Sequence, residues 1–433
     1  MARATVLLNA ALIAAMAGGL ANAAPSAEVN ARIERILTAT PLIDGHNDLP
    51  MLIRERFNDD LSKIDVAADT SKLPVPEGKP RFYTDLPRLR AGQVGAQFWS
   101  VFVEAALPGP EAVQQTLEQI DIVKRIVAEH PKELAMAYTA ADIRRIHREK
   151  RIASLIGVEG GHQINNSLGV LRQLYALGAR YITLTHSRNT AWADSASEAP
   201  KHHGLTPFGR DVIRELNRLG MMVDLSHVSP DVMRQATELS MAPVIYSHSS
   251  TRALVDNPRN VPDDMLKLLR ANGGIVMVNL VDHFVCTPCM VWEADRLAQR
   301  ARASFPPYGG LYVGQPERAA AALAEWDAAH PRPKATVADV ADHIEHIRDV
   351  AGIDHVGIGS DFEGMDAAPE GLEGVDRYPV LFAELIRRGW SDQDLAKFAG
   401  ENLLRVMAAA ETVSAKLKQE PASGATLDAP TKP

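Results

Sequence analysis

The stretch PLIDGHNDLP, residues 41–50, decides how the rest of the chain is interpreted. A short apolar run reaches a glycine and is followed by His46 and Asp48, two residues apart. In an extended segment such residues point to the same side. One imidazole nitrogen and one carboxylate oxygen can therefore bind one metal ion at the end of a strand. These ligands suit Zn²⁺, with Mn²⁺ or Co²⁺ as possible substitutes.

Short apolar runs of this kind recur along the chain, and amphipathic helical stretches lie between them. The runs are 41–44, 94–103, 152–158, 181–185, 221–225, 243–246, 275–279 and 355–359. Short segments rich in Val, Ile and Leu are typical of buried parallel strands. Eight strands with crossover helices predict an α/β fold, a (β/α)8 TIM barrel, and leave an open doubly wound sheet as the alternative. Long insertions are expected after strands 1, 4 and 7, at 52–90, 187–206 and 281–336.

Residues that can bind a metal or transfer a proton follow six of the eight runs. They are His46 with Asp48, Glu159, His186, His227, His248 and Asp361. In a parallel barrel all strands end at one rim, where barrel enzymes carry their active sites. Taken alone, His227 or His248 would be interpreted as a hydrogen-bonded core histidine. The shared rim, rather than any single residue, predicts a metal site. His162 is expected just behind that site, and His202, His203, His343 and His346 at the surface.

The number of these residues favours two metal ions. A single catalytic zinc needs about three protein ligands and one open position. A carboxylate in the middle of the set can bridge two ions about 3.5–4 Å apart. A bridging hydroxide would then be the nucleophile, while a metal ion polarises the carbonyl that is attacked. The remaining histidine and aspartate are free to stabilise the oxyanion and to transfer protons.

Composition excludes other functions. Charged residues make up 23% of the chain and hydrophobic residues 46%, as in soluble globular proteins. The net charge of −8 and the lack of a Lys/Arg-rich run offer no basic surface for nucleic acid.

Both termini are predicted to lie outside the folded domain. Arg3, the apolar stretch 6–20 and Ala21-Asn22-Ala23 predict a signal peptide over residues 1–23, cleaved near Ala23. An exported protein, periplasmic or secreted, is therefore expected, with no membrane anchor in the mature chain. A single metallohydrolase domain is predicted over 24–412, followed by a disordered tail over 413–433.

The chain has two cysteines, Cys286 and Cys289. No second pair exists to complete a Cys₄ metal site. In an exported protein a local disulfide is favoured over two free thiols, with no catalytic role.

Seven motifs together resemble the membrane (renal) dipeptidase family of binuclear zinc peptidases, which belong to the amidohydrolase-type barrels. They are DGHNDLP (44–50), EGGH (159–162), LTHS (184–187), DLSH (224–227), SHSS (247–250), RNVPD (259–263) and GSDF (359–362). They occur in the expected order, and the resemblance extends over residues 41–407.

The resemblance implies a ligand set and three further roles. The implied ligands are His46 and Asp48 for one zinc ion, His227 and His248 for the other, and Glu159 between them. His186 would contact the substrate, polarise the scissile carbonyl and stabilise the tetrahedral intermediate. Asp361 would take a proton from the bridging water and pass it to the leaving amine. Arg259 would bind the terminal carboxylate of the substrate with its planar guanidinium.

The function implied is that of a zinc dipeptidase that tolerates a D-residue at the C-terminal position, and a homodimer is possible. One alternative is another binuclear amidohydrolase, such as an N-acyl-amino-acid deacylase or a lactonase or phosphotriesterase-like enzyme. Many of those carry His-x-His on the first strand and a lysine bridge, whereas this chain has Asp48 and no lysine after runs three and four. The other alternative is a periplasmic binding protein without catalysis. His186 and Asp361, which exceed the ligand set, argue against it.

Overall fold

The computed structural model describes residues 25–76, 80–306 and 309–427, and the structural statements below concern these residues. Its strands are β1 (Leu42–Asn47), β2 (Val94–Phe102), β3 (Leu134–Met136), β4 (Ile152–Glu159), β5 (Ala179–Thr183), β6 (Met222–Asp224), β7 (Ile245–Tyr246), β8 (Ile275–Val278) and β9 (Val356–Ile358). All neighbours pair in parallel, and eight strands close in the order β1-β2-β4-β5-β6-β7-β8-β9, with β9 beside β1. This confirms the predicted (β/α)8 barrel, and the open-sheet alternative is wrong.

Strand β3 was not predicted from the sequence. It pairs with the first residues of β4, Ile152–Ser154, while β5 pairs with the part of β4 from Ile156 to Glu159. β3 therefore extends the sheet at the amino-terminal end of the barrel and is not one of the eight strands that close it. The segment Leu134–Met136 contains no Val or Ile, so it lacks the composition by which the other strands are recognised.

The helices lie between and after the strands. They are α1 (Ala27–Ala39), α2 (Leu49–Phe57), α3 (Leu86–Ala91), α4 (Gly109–Glu129), α5 (Ala140–Arg148), α6 (Leu168–Leu177), α7 (Pro207–Leu219), α8 (Pro230–Leu239), α9 (Asp263–Asn272), α10 (Asp282–Val285), α11 (Thr287–Ala303), α12 (Pro316–Ala329), α13 (Val337–Ala351), α14 (Tyr378–Arg387), α15 (Asp392–Ala396) and α16 (Asn402–Leu417). Ser167, Thr206 and Ser229 cap α6, α7 and α8 by accepting backbone N–H bonds.

The connection between β8 and α13 carries three helices of its own, α10, α11 and α12. Cys286 and Cys289 form a disulfide across the first turn of α11, and Cys286 is the N-cap residue of that helix. The predicted local disulfide is therefore present. It joins the end of α10, which lies at the rim, to the beginning of the long helical insertion.

The predicted boundary of the C-terminal tail is wrong. Helix α16 continues to Leu417, because Ser414 and Leu417 are buried against the domain. The chain that follows stays attached, since the backbone of Ser423 bonds to the side chains of Arg172 and Glu215. Residues 428–433 and the predicted signal peptide lie outside the described residues. Within the described ranges, no helix has both the length and the apolar character needed to cross a membrane.

The barrel interior is closely packed below the rim. Gly157 of β4 faces Tyr181 of β5, and a Cβ atom at Gly157 would lie 2.0 Å from the Cζ atom of that tyrosine. The missing side chain therefore provides the space in which the Tyr181 ring crosses the barrel. Tyr181 is completely buried, and its hydroxyl group reaches β1.

Candidate active site

The rim residues predicted from the sequence converge on Glu159, at the end of β4. Its Oε1 atom lies 3.0 Å from His227 Nε2, 3.3 Å from His248 Nε2 and 3.6 Å from His186 Nε2. Its Oε2 atom lies 3.3 Å from His46 Nε2 and accepts a hydrogen bond of 3.1 Å from Ser100 Oγ. One carboxylate therefore faces four imidazoles from four strand ends.

The first half of the site, His46 and Asp48, follows β1. His46 Nε2 lies 3.4 Å from Asp48 Oδ2. The Tyr181 hydroxyl donates to Gly45 O at 3.1 Å and lies 3.0 Å from His46 Nδ1, so it accepts the Nδ1 proton. Nδ1 of His46 therefore carries a proton, and Nε2 is the nitrogen that faces the site, where a metal ligand needs it.

A buried carboxylate at Asp44 holds this half in register with β9. Asp44 accepts bonds from the backbone N–H of Ser360 at 2.8 Å and from its hydroxyl group at 2.7 Å. Tyr378 and Gln97 donate to the same carboxylate at 2.7 Å and 3.0 Å. The end of β9, which carries Asp361, is therefore fixed beside His46.

The second half of the site, His227 and His248, follows β6 and β7. Their Nε2 atoms are 2.9 Å apart. Ser247 Oγ donates to Asp224 Oδ2 at 2.6 Å and lies 2.8 Å from His248 Nδ1, so it accepts the Nδ1 proton. As in the first half, the histidine is left with its Nε2 lone pair facing Glu159.

Two site residues have left-handed backbone, with φ of +67° at both His227 and Asp361. This region is unfavourable for residues with a side chain, although Asn, Asp and His enter it more readily than most. Local bonds hold both residues there: Ala196 N donates to His227 O at 2.8 Å, and Asp361 N donates to His46 O at 3.1 Å. Strained backbone of this kind is frequent at functional sites.

A cavity of about 260 Å³ opens above the cluster. Its lining includes the predicted residues Asp48, Glu159, His186, His227, Arg259 and Asp361. His46 and His248 are completely buried and lie below it. Arg259 Nη2 donates to His248 O at 3.4 Å, whereas Nε and Nη1 of Arg259 are buried without a partner among the described residues. The guanidinium therefore has donors available for an anion in the cavity.

The electrostatics of the metal-free protein separate the groups by charge. Burial lowers the pKa values of His186, His227 and His248, so these imidazoles are neutral. Burial opposes ionisation of Glu159, but the charge of His46 and hydrogen bonds from His227 and His248 hold its pKa well below its usual value. Burial raises the pKa of Asp361 to about 8 and lowers that of Arg259 to about 10.

The residues present fit a binuclear metal centre. His46 Nε2 and Asp48 Oδ1 are buried without any hydrogen-bond partner in the described structure. Three overlapping sets have all their ligand atoms within 4.8 Å of one another: His46 with Glu159 and His248, Glu159 with His186 and His227, and His46 with Asp48 and Asp361. Neutral imidazoles and carboxylates are the ligands that zinc and related ions bind.

Among the other histidines, His162 lies behind the rim and His203 is exposed, as expected, whereas His202 and His346 are half-buried. His162 Nε2 bonds to Val103 O at 3.1 Å, behind the rim. His343 was expected at the surface, and this is wrong: it is buried, because the inner face of α13 turns it toward the loop after β7. There its Nδ1 atom accepts a bond from Thr251 N at 3.1 Å.

Sequence reasoning missed the residues that orient the ligands. Tyr181, Ser100 and Asp224 lie inside strands and look like ordinary buried residues in the sequence. Only Asp224 gives a signal, since a charged residue ends an apolar run. His283, which also lines the cavity, belongs to the insertion that no motif covers.

A closed parallel barrel that gathers histidines and carboxylates around one buried glutamate at its C-terminal rim defines the class of metal-dependent barrel hydrolases.

Known proteins that resemble the chain narrow this class. The description of the membrane dipeptidase family, peptidase family M19, matches residues 30–421. Dipeptidase 3 of Rattus norvegicus is 42% identical over 388 residues, which are 88% of this chain and 67% of that protein. The crystal structure of the probable dipeptidase PvdM from Pseudomonas aeruginosa has a TM-score of 0.73 at 26% identity, covering 89% of this chain and 99% of its own. A metallo peptidase from Rhodobacter sphaeroides, liganded with a phosphinate mimic of the dipeptide L-Ala-D-Ala, has a TM-score of 0.66 at 22% identity, covering 86% and 99%.

The chain belongs to the membrane dipeptidase family, peptidase family M19. It is a metallo-dipeptidase, a hydrolase that acts on peptide bonds, and the resemblance seen in its motifs is confirmed.

Proposed function

We propose that this metallo-dipeptidase is an exported enzyme that uses two zinc ions to hydrolyse dipeptides, including those with a C-terminal D-residue. The observation that carries the proposal is the convergence of His46, His227 and His248 on the single carboxylate of Glu159. His46 and Asp48 would hold one ion, His227 and His248 the other, and Glu159 would bind both. Two zinc ions bound there would acidify a shared water molecule and polarise the peptide carbonyl.

Arg259 is proposed to bind the terminal carboxylate of the dipeptide. It is 6% exposed, lines the cavity and has two nitrogen atoms with no partner in the part of the chain that the structure describes. A planar guanidinium can donate two parallel bonds to a carboxylate. Because the pKa of Arg259 remains at about 10 despite burial, the side chain is charged at neutral pH. A longer peptide has no carboxylate at this position, which would explain selection for dipeptides.

His186 and Asp361 are proposed to handle the charge and the protons of the reaction. Burial lowers the pKa of His186, so its neutral imidazole keeps one N–H to donate to the carbonyl oxygen as that oxygen becomes negative. Asp361 lines the same cavity and lies 4.0 Å from His46 Nε2. From this position its carboxylate can take up a proton from a water molecule in the cavity and release it to the leaving amine.

Export is supported by two features. The first is the N-terminal sequence, with Arg3, an apolar stretch and Ala21-Asn22-Ala23. The second is the Cys286–Cys289 disulfide, since such bonds persist mainly in oxidising compartments. Mass spectrometry of the protein isolated from cell fractions would test this. A mature N-terminus near Ala24 in the exported fraction is expected, and an intact N-terminus in the cytosol would contradict it.

Hydrolysis of Gly-D-Ala, L-Ala-L-Ala and a tripeptide, before and after chelation and after return of zinc, tests the proposed activity. We expect both dipeptides to be cleaved, the tripeptide to be spared, and activity to disappear on chelation and return with zinc. About two zinc ions per chain are expected by metal analysis. Inactivity on both dipeptides, with two zinc ions bound, would contradict the substrate assignment and direct the search to esters, lactones and acyl-amino acids.

A further inference from the structure

We propose that His283 determines specificity by accepting a hydrogen bond from the side chain of the substrate's C-terminal residue, and that Arg332 is a positioning residue that acts on it through Asp282. The proposal rests on the dipeptidase function proposed above. It assigns a role in substrate selection to the helical insertion between β8 and α13, which the catalytic motifs leave unexplained.

His283 lines the same cavity as the proposed anchor of the substrate carboxylate. Helix α10 places His283 and Phe284 in the wall of the same cavity as Arg259. The Arg259 guanidinium lies over the Phe284 ring, 5.5 Å from its centroid. Because Arg259 is the proposed anchor of the terminal carboxylate, α10 borders the C-terminal residue of the substrate. The side chain of that residue is the part of the substrate nearest to α10.

The imidazole of His283 is oriented by the neighbouring carboxylate of Asp282. His283 Nδ1 lies 3.1 Å from Asp282 Oδ1. An ionised carboxylate can only accept, so Nδ1 carries a proton, and the acceptor that this tautomer offers is Nε2. In the described part of the chain, no residue bonds to Nε2. His283 therefore offers one acceptor that is not used by the protein.

The carboxylate of Asp282 is held in turn by Arg332. Arg332 Nε and Nη2 donate to the two oxygen atoms of Asp282 at 2.8 Å and 2.9 Å. Asp282 is 2% exposed, so without Arg332 its charge would be buried and unpaired. The Arg332 guanidinium also lies 5.0 Å from the Trp292 ring of α11. The insertion thus leaves the barrel at α10, and Arg332, near its returning end, braces that helix.

His283 can distinguish substrate side chains that donate a hydrogen bond from those that do not. A lone pair on Nε2 accepts a bond from a hydroxyl, carboxamide or ammonium group, and an apolar group of the same shape offers none. Thr and Val have nearly the same shape and differ by a hydroxyl and a methyl group. Dipeptides that end in Thr or Val therefore isolate the interaction.

The kinetic test compares kcat/KM for L-Ala-L-Thr with kcat/KM for L-Ala-L-Val. We expect His283→Leu to lower the Thr/Val ratio by about fivefold. His283→Gln, which keeps an acceptor, should retain more of the ratio. His346→Leu is the matched control, because His346 lies on α13, bonds to Asp263 and does not line the cavity.

Arg332→Met tests the positioning role. It should lower the Thr/Val ratio by about threefold, and Arg332→Lys, which can still pair with Asp282, should lower it less. A purely structural role would reduce both rate constants together and leave the ratio unchanged. Thermal unfolding of each variant checks that it is folded, and His283→Met replaces His283→Leu if the latter is not.

The outcomes separate this inference from the proposed function. If the wild-type enzyme cleaves neither dipeptide, the proposed function fails. If it cleaves both and His283→Leu leaves the Thr/Val ratio unchanged, the role of His283 is wrong and the dipeptidase function stands. If His283→Leu lowers the ratio and Arg332→Met does not, only the role of Arg332 is wrong.

Discussion

The histidine side chains in the two halves of the site are oriented by different means. In the first half, His46 is oriented by the Tyr181 hydroxyl, which comes from β5 on the other side of the barrel interior. In the second half, His248 is oriented by Ser247, the residue next to it, and through it by Asp224 at the end of β6. The first support is distant in sequence and passes through the packed core, whereas the second is local to adjoining strand ends.

The geometry of the first half therefore depends on the packing of the whole barrel. Tyr181 reaches β1 only because Gly157 leaves room for its ring. The second half depends on a short chain of hydrogen bonds at the rim. Damage to the first half should therefore affect stability as well as metal binding, and damage to the second half mainly metal binding.

The largest effect is expected where the halves meet. Glu159→Gln removes the charge that faces both, so kcat/KM should fall by at least about 10³-fold and bound zinc should drop below two ions per chain. Steady-state kinetics and metal analysis measure this. Glu104→Gln is the matched control, because Glu104 is exposed near the rim and does not line the cavity. An unchanged zinc content in Glu159→Gln would contradict the shared-ligand role.

A smaller effect should break the first half alone. At Gly364 a Cβ atom would lie 2.4 Å from Asp48 Oδ2 and 2.7 Å from Asp361 Oδ1. Gly364→Ala should therefore displace both carboxylates and lower kcat by about 10²-fold, since small displacements in an active site are costly. Gly169→Ala, where the nearest atom is 3.4 Å away, is the control. Wild-type kcat in Gly364→Ala would show that the carboxylates tolerate displacement.

The comparison is sharpest in a pair of variants that each remove one hydroxyl group. Tyr181→Phe and Ser247→Ala should each lower the affinity for one zinc ion by about 10- to 100-fold, since both hydroxyls orient a ligand. Tyr181→Phe should also lower the free energy of unfolding of the metal-free protein by about 1–3 kcal/mol, because it leaves Gly45 O buried without its donor.

Zinc titration by calorimetry and chemical denaturation measure these two quantities. The contrast requires that Ser247→Ala lose less unfolding free energy than Tyr181→Phe. Equal losses in both variants would mean that the halves do not differ in their dependence on the barrel.

The smallest effect concerns the shared carboxylate. Ser100 Oγ donates to Glu159 Oε2 at 3.1 Å, so Ser100→Ala should lower kcat/KM by about tenfold and weaken both zinc ions equally. Ser154→Ala is the control, because the Ser154 hydroxyl is buried on the neighbouring strand and bonds to none of the described residues. A loss confined to one zinc ion would assign Ser100 to a single half.

The barrel and the site cluster could be predicted because they obey one rule. Parallel strands end at one rim, so His46, Glu159 and Asp361 could be grouped although they are far apart in the sequence. Tyr181 could not be assigned its role, since a tyrosine in an apolar run is interpreted as core. Its function depends on the empty space at Gly157, which is a three-dimensional fact.

The contacts inside the insertion and the extra strand β3 could not be predicted, for other reasons. β3 consists of Leu134, Ala135 and Met136, without the Val or Ile that marks the other strands. Asp282 and Arg332 are 50 positions apart, and nothing in either sequence context points to the other. His343 was misplaced because α13 buries a wider face than its aliphatic residues indicate. In each case a tertiary contact decides what local pattern cannot.

The left-handed backbone at His227 and Asp361 limits how this enzyme can lose its activity during evolution. Most replacements at these two positions would add conformational strain to the loss of a functional group, and so endanger folding as well. Asn and Gly occupy such backbone at low cost. A descendant that kept the fold as an inactive binding protein would therefore be expected to carry Asn or Gly at these positions. The residues found at these two positions in relatives would then distinguish inactive members from active enzymes.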